Sequence, residues 1–182
     1  LDAIGILIDL VFQSSMQNAI ELIRNEEIMN RLLRIAKYSL NVYRFFRDLL
    51  QEAIFTEEFG KNVDPLLIKA IIDISIANLT NKVDIKLTEI TIHIFQILSF
   101  NPNTLIMALN EGLENYMIRA MGIQSPSNVL LLYTIIRNIF RFVVNGEIKK
   151  TNLIQLEAFY TKTAEMIKFY KNDEDLEIVF TT

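Results

Sequence analysis

The chain has 182 residues, 51% of them hydrophobic, and a formal net charge of −4. That length and apolar content suffice for one domain with a sizeable core, and the acidic balance argues against a broad nucleic-acid-binding surface. Cysteine is absent, which excludes disulfides, thiolate zinc sites and thiol catalysis, and fits a cytoplasmic protein.

With only 3 Pro and 5 Gly, turns are few and helices are favoured. The opening stretch LDAIGILIDLVF is apolar, but Asp2 and Asp9 interrupt it and no basic run precedes it. It is neither a signal peptide nor a membrane span and is expected to be a core helix. A start at Leu1 instead of Met points to a fragment of a longer chain. After a break at Ser14-Ser15, Arg24, Arg31, Arg34 and Lys37 have spacings compatible with one broad helix face. With Arg44 and Arg47 they form the most basic region. It reads as the wet side of an amphipathic helix, the functional alternative being contact with an acidic partner or lipid headgroups. The acids of NEE, 25–27, read as a solvated helix end.

Further breaks fall at Gly60 to Pro65, Thr80 to Asp84, Asn101 to Asn103, Gly122 to Ser127, Asn145-Gly146 and Lys171 to Asp173. Asn101-Pro102 and Ser125-Pro126 each suit an N-cap followed by a first-turn proline. Gly122 and Gly146 suit the left-handed position just past a helix end. In ITIHIFQILSF, Ile90, Ile94, Ile97 and Leu98 recur at three and four, as do Leu131, Ile135, Ile139 and Phe142 further on. The expectation is an all-α protein with helices of about 10–16 residues.

Shifted by about 45 residues, IFQILSFN from Ile94 falls on IFRFVVNG from Ile139, and Leu87 and Ile90 fall on Leu132 and Ile135. The segment NPNTLIMALNEGLENYMIRAMGIQSPSNVLLLYTIIRNIFRFVVNG, 102–146 with its capping Asn101, resembles an armadillo repeat. MALNEG supplies a first helix, Gly112 the sharp bend, LENYMIRAM a second helix, QSPSN a break, and IIRNIF a third helix carrying Asn138. The likeness is weaker over 57–101, where Leu67 stands at the bend position, and over 147–182, where Glu157 does. The resemblance implies a right-handed α-solenoid of armadillo-like repeats, 12–56, 57–101, 102–146 and 147–182, with HEAT-like helix pairs or an irregular helical bundle as the alternative.

In that family, third helices line a concave groove, and a ladder of Asn side chains holds an extended peptide by its backbone. Carried through this chain, the ladder is Asn138, His93 and Asp48. One turn earlier lie Thr134, Glu89 and Arg44, flanked by Arg137, Arg141, Gln96 and Arg47. The resemblance therefore implies a non-enzymatic module binding a protein or peptide partner through these residues, with Gly112 and Gly146 structural. Only one ladder position is Asn and the chain has no Trp, so the guanidinium groups point to an acidic or C-terminal segment. Tyr43, Phe45, Phe46, Tyr133 and Phe140 are candidates for apolar contact. A solvated face and internal hydrogen bonding are the competing readings of the polar ladder.

Enzymatic chemistry has little support. His93 is the one histidine, no P-loop, dinucleotide fingerprint or HExxH occurs, and neither metal nor cofactor is expected. The second functional class is self-association in a cytoskeletal or regulatory protein, through apolar edges at Leu1 to Phe12 and Leu176 to Phe180.

Overall fold

The computed structural model describes residues 2–80, 85–120, 126–149 and 156–170, and all regular structure among them is helical. The chain divides into two compact units, Leu1–Leu98 and Ser99–Thr182. The first contains α1 (Asp2–Ser14), α2 (Met16–Arg24), α3 (Glu26–Ile35), a 3-10 turn (Ala36–Tyr38), α4 (Leu40–Phe55), α5 (Glu57–Gly60), α6 (Pro65–Thr80) and α7 (Ile85–Leu98). The second contains α8 (Pro102–Asn110), α9 (Leu113–Ala120), α10 (Pro126–Val144) and α11 (Leu156–Tyr170).

Short polar side chains start these helices by accepting otherwise unpaired backbone N–H groups. Ser15 accepts from Asn18 N at 3.1 Å, Asn25 from Ile28 N at 3.1 Å and Ser39 from Val42 N at 3.5 Å. Asn101 accepts from Asn103 N and Thr104 N with Pro102 opening α8, as expected from the Asn-Pro pair. Ser125 and Gly122 lie outside the described residues, as do Lys171 to Asp173 and the apolar edge at Leu176 to Phe180. The break at Asn25 corrects the basic row: Arg24 ends α2, Arg31 and Arg34 sit on α3, and Lys37 lies in the 3-10 turn, so no single helix carries all four. Glu26 and Glu27 occupy the first turn of α3, where the helix dipole favours negative charge.

Two glycines adopt positive φ, Gly112 at 97° and Gly146 at 75°. Gly112 turns the chain between α8 and α9, so the order of helix, glycine bend, helix and long helix occurs over 102–144. At Gly146 the N–H donates to Val143 O at 3.2 Å, and the next N–H, of Glu147, reaches back to Phe142 O at 2.9 Å. This Schellman arrangement satisfies the last carbonyls of α10. Leu67 and Glu157, at the two other bend positions, lie instead in the first turns of α6 and α11.

Helix α4 is the centre of the first unit. Val42, Tyr43, Phe45, Phe46, Leu49 and Leu50 are all fully buried, and the helix packs on α1, α5 and most extensively on α7. Phe12 of α1 meets the rings of Phe45 and Phe59 edge-on, at 5.4 and 5.7 Å. The expectation of a core helix at the start is thereby corrected. Phe12 is buried, while Ile6, Leu7, Leu10 and Val11 stand exposed along the rest of α1. In the second unit Leu105, Leu109, Met117, Leu132, Ile135 and Ile139 are buried, and α10 meets α11 through Phe140 against Phe159.

Truncating the central ring should be costly. Phe45→Ala is expected to destabilise the chain by about 3–5 kcal/mol, read as a lower urea midpoint. Gly112→Ala is expected to cost about 1–2 kcal/mol because a Cβ disfavours its positive φ.

Candidate functional site

The expected site residues fall into two groups, one in each unit. In the first unit, Arg44 is exposed on α4 and donates to Asn41 Oδ1 at 3.0 Å. One turn on, Arg47 donates through both Nε and Nη2 to Asp48 Oδ1, each at 2.7 Å. Both side chains are about three-quarters buried, at 28% and 27% exposure. The pair is therefore more fixed than an open surface ion pair, which is worth little.

His93 lies half-buried on α7, the helix that packs on α4. Burial lowers its pKa from the ordinary 6.5, the Arg47 guanidinium lowers it further, and Asp48 partly opposes them. The structure thus brings Arg47, Asp48 and His93 within electrostatic reach of one another. Glu89 and Gln96, four residues before and three after His93, are also half-buried on that helix face. Thr91, two residues from His93, is fully buried and returns its hydroxyl to Leu87 O at 2.7 Å.

In the second unit, Thr134 donates to Leu130 O of its own helix at 3.0 Å. Arg137 and Arg141 are exposed, and the Arg141 guanidinium lies 4.6 Å above the Phe142 ring. Asn138 does not join them. It is fully buried, and its Nδ2 donates to Ser99 Oγ at 2.9 Å, while its Oδ1 has no partner. The expectation that Asn138 offers its amide to a peptide in a groove is corrected here, and internal hydrogen bonding takes its place. The sequence held the signal: Asn138 lies three residues after Ile135 and four before Phe142, on the same stripe as these buried side chains. Arg137 and Arg141, four apart, share the outer face.

Tyr43, Phe45 and Phe46 are fully buried and unavailable as surface contacts. Phe140 is half-buried and stacks on Tyr160 with ring centroids 4.9 Å apart. Among the described residues no group of three His, Asp or Glu side chains comes together as a metal site, and no helix is long and apolar enough to cross a membrane. These features define a chain whose described regular structure is all helical, with a polar strip on α4 and α7 and exposed basic residues on α10. Compared with protein-family models, curated proteins and solved structures, it matches none.

The two roles on α10 separate by mutation. Asn138→Ala is expected to cost about 1–3 kcal/mol, because it removes a buried hydrogen bond and leaves a void. Arg137→Ala and Arg141→Ala should each stay within about 0.5 kcal/mol in the same urea titration. For His93 the sign follows from its lowered pKa. The unfolded chain takes up a proton near pH 6.5, before the folded chain does, so stability falls as pH drops through that value and levels off below the folded pKa. Melting temperatures measured from about pH 8 to about pH 5 should show this fall, and His93→Gln should flatten that part of the curve.

Proposed function

We propose that the chain is a non-enzymatic protein-interaction module, a segment of an intracellular scaffold or regulatory protein. It holds an extended peptide of a partner on the polar strip of α4 and α7. The observation that carries this reading is the half-buried Arg47–Asp48 ion pair on α4, with His93 of the neighbouring α7 within electrostatic reach. An extended peptide presents unpaired backbone N–H and C=O groups, and the strip offers both donors and acceptors to meet them. Side chains already held in place lose less rotamer freedom on binding than free surface chains. Arg44, exposed at the end of the strip, supplies a charge-assisted contact to a carboxylate. The likeness of 102–146 to an armadillo repeat supports a binding role, although the buried Asn138 takes no part in it.

A random-peptide library selected on the purified chain tests the proposal. The wild type is expected to enrich one family of extended, acid-bearing sequences. A folded Arg44→Ala, His93→Ala variant should bind the best of them at least about tenfold more weakly. Unchanged affinity in that variant would remove the strip as the binding surface.

A further inference from the structure

Helix α1 touches α4 along a narrow line. A Cβ on Gly5 would lie 2.6 Å from Asn41 Cβ, so the two backbones approach closely there, and Phe12 anchors the far end. The opposite side of α1 is bare, with Ile6, Leu7 and Leu10 52%, 62% and 60% exposed. Beside it runs an apolar groove of about 660 Å³ bounded by α1, α2 and α3. Leu7 and Val11 form one wall, Ile28 and Ile35 the other, and the buried Leu22 and Leu32 the floor. Ile28 and Ile35 are two helical turns apart, which makes the groove roughly 10 Å long.

Among the described residues that line this groove, the charged ones are Arg31 and Arg34, and none is acidic. Arg31 pairs with Glu27 at 2.5 Å, but both side chains are about three-quarters exposed. Such a pair is weak and readily exchanged. No carboxylate pairs with Arg34 among the described residues. A chain of net charge −4 therefore carries a locally positive edge beside an exposed apolar surface.

We propose that the groove between α1 and α3 docks an amphipathic helix of a partner protein. The helix would set its apolar face, spaced three and four residues apart, on Leu7, Leu22, Leu32 and Ile35. Acidic residues on its flank would reach Arg31 and Arg34. This is the helix-in-groove mode of recognition. The groove's shape favours it over two other ligands. A small apolar molecule needs most of its surface enclosed, and a wall built of Leu7 at 62% exposure does not enclose one. A bilayer surface is flat and would not reach the recessed Leu22 and Leu32. A helix brings apolar side chains that fill the recess and backbone that covers the walls. The proposal is independent of the strip on α4 and α7.

Two fluorescent synthetic peptides test it against the full chain by anisotropy at low ionic strength. Both carry Leu at helical three–four spacing, one with Glu on the flanks and one with Lys. The Glu peptide is expected to bind at least about tenfold more tightly than the Lys peptide, and the difference should shrink with added salt. Arg31→Glu with Arg34→Glu should reverse the preference, since both positions are exposed and the fold, checked by circular dichroism, should persist. Leu7→Asp should weaken both peptides. Equal binding of the two peptides, or no binding, overturns the proposal. So does a concentration-dependent dimer in light scattering that Leu7→Asp abolishes, which would make a second copy the occupant. Tighter binding to phosphatidylserine vesicles than to the Glu peptide would assign the surface to a membrane and overturn it as well.

Discussion

The burial of α4 is the constraint on which the first unit depends. Six side chains of one helix reach zero exposure, so neighbours must cover one whole side of it. Phe12 brings α1 onto it and also meets Phe59 of α5, which packs on α4 as well, and α7 lies along it. Such burial forces a solution for the phenol of Tyr43. Its hydroxyl donates to Ile74 O at 3.1 Å on α6 and accepts from Asn78 Nδ2. Burial holds that phenol far above its ordinary pKa, against the opposing pull of Ser75 and Asn78. The other side of α4 carries Arg44, Arg47 and Asp48, together with the exposed Gln51, Glu52 and Phe55. The polar strip is thus what the packing of α4 leaves uncovered.

Two kinds of pairing occur among the buried polar groups. Thr91 and Thr163 return their hydroxyls to the carbonyl four residues earlier, at 2.7 and 2.8 Å, which satisfies the donor without a second helix. Asn138 has a longer side chain and two donors, and it reaches out of α10 to Ser99. A buried amide that bridges two segments fixes their register, because any slip would leave more of it unpaired. The Schellman turn at Gly146 stops the same helix just beyond it, and buried Ile148 follows.

The two candidate surfaces differ in their physics. The strip on α4 and α7 is half-buried, mixed in charge and fixed by its own ion pair, which suits recognition by direction and hydrogen bonding. The groove beside α1 is apolar with basic edges, which suits recognition by area with charge setting the choice of partner. Exposed side chains such as Leu7 and Leu10 are ordinary one at a time. Their contiguity along a helix, next to a recessed apolar floor, is what motivates the proposed docking site.

Periodicity in the sequence determined the helices, since apolar residues recurring at three and four define a buried stripe whatever it packs against. Cap chemistry fixed several ends: Asn101-Pro102 and Asn145-Gly146 act locally, through backbone groups within a few residues. The breaks at Asn25 and Ser39 rest on the same capping but lie inside apolar periodic stretches, where a cap is hard to tell from a polar residue on a helix face. Residues such as Arg47, Asp48 and His93 could be aligned by repeat spacing, yet their meeting depends on α4 lying against α7. Helical periodicity placed Asn138 on the buried stripe, and only tertiary structure supplied its partner, Ser99. Asn138 shares a polar triplet with Arg137 and Arg141 in the sequence, but a rotation of about 100° per residue turns it into the core while they face water. The bare side of α1 was a tertiary outcome, because an apolar helix is buried only as far as its neighbours reach: Gly5 and Phe12 are covered, while Ile6, Leu7 and Leu10 are not.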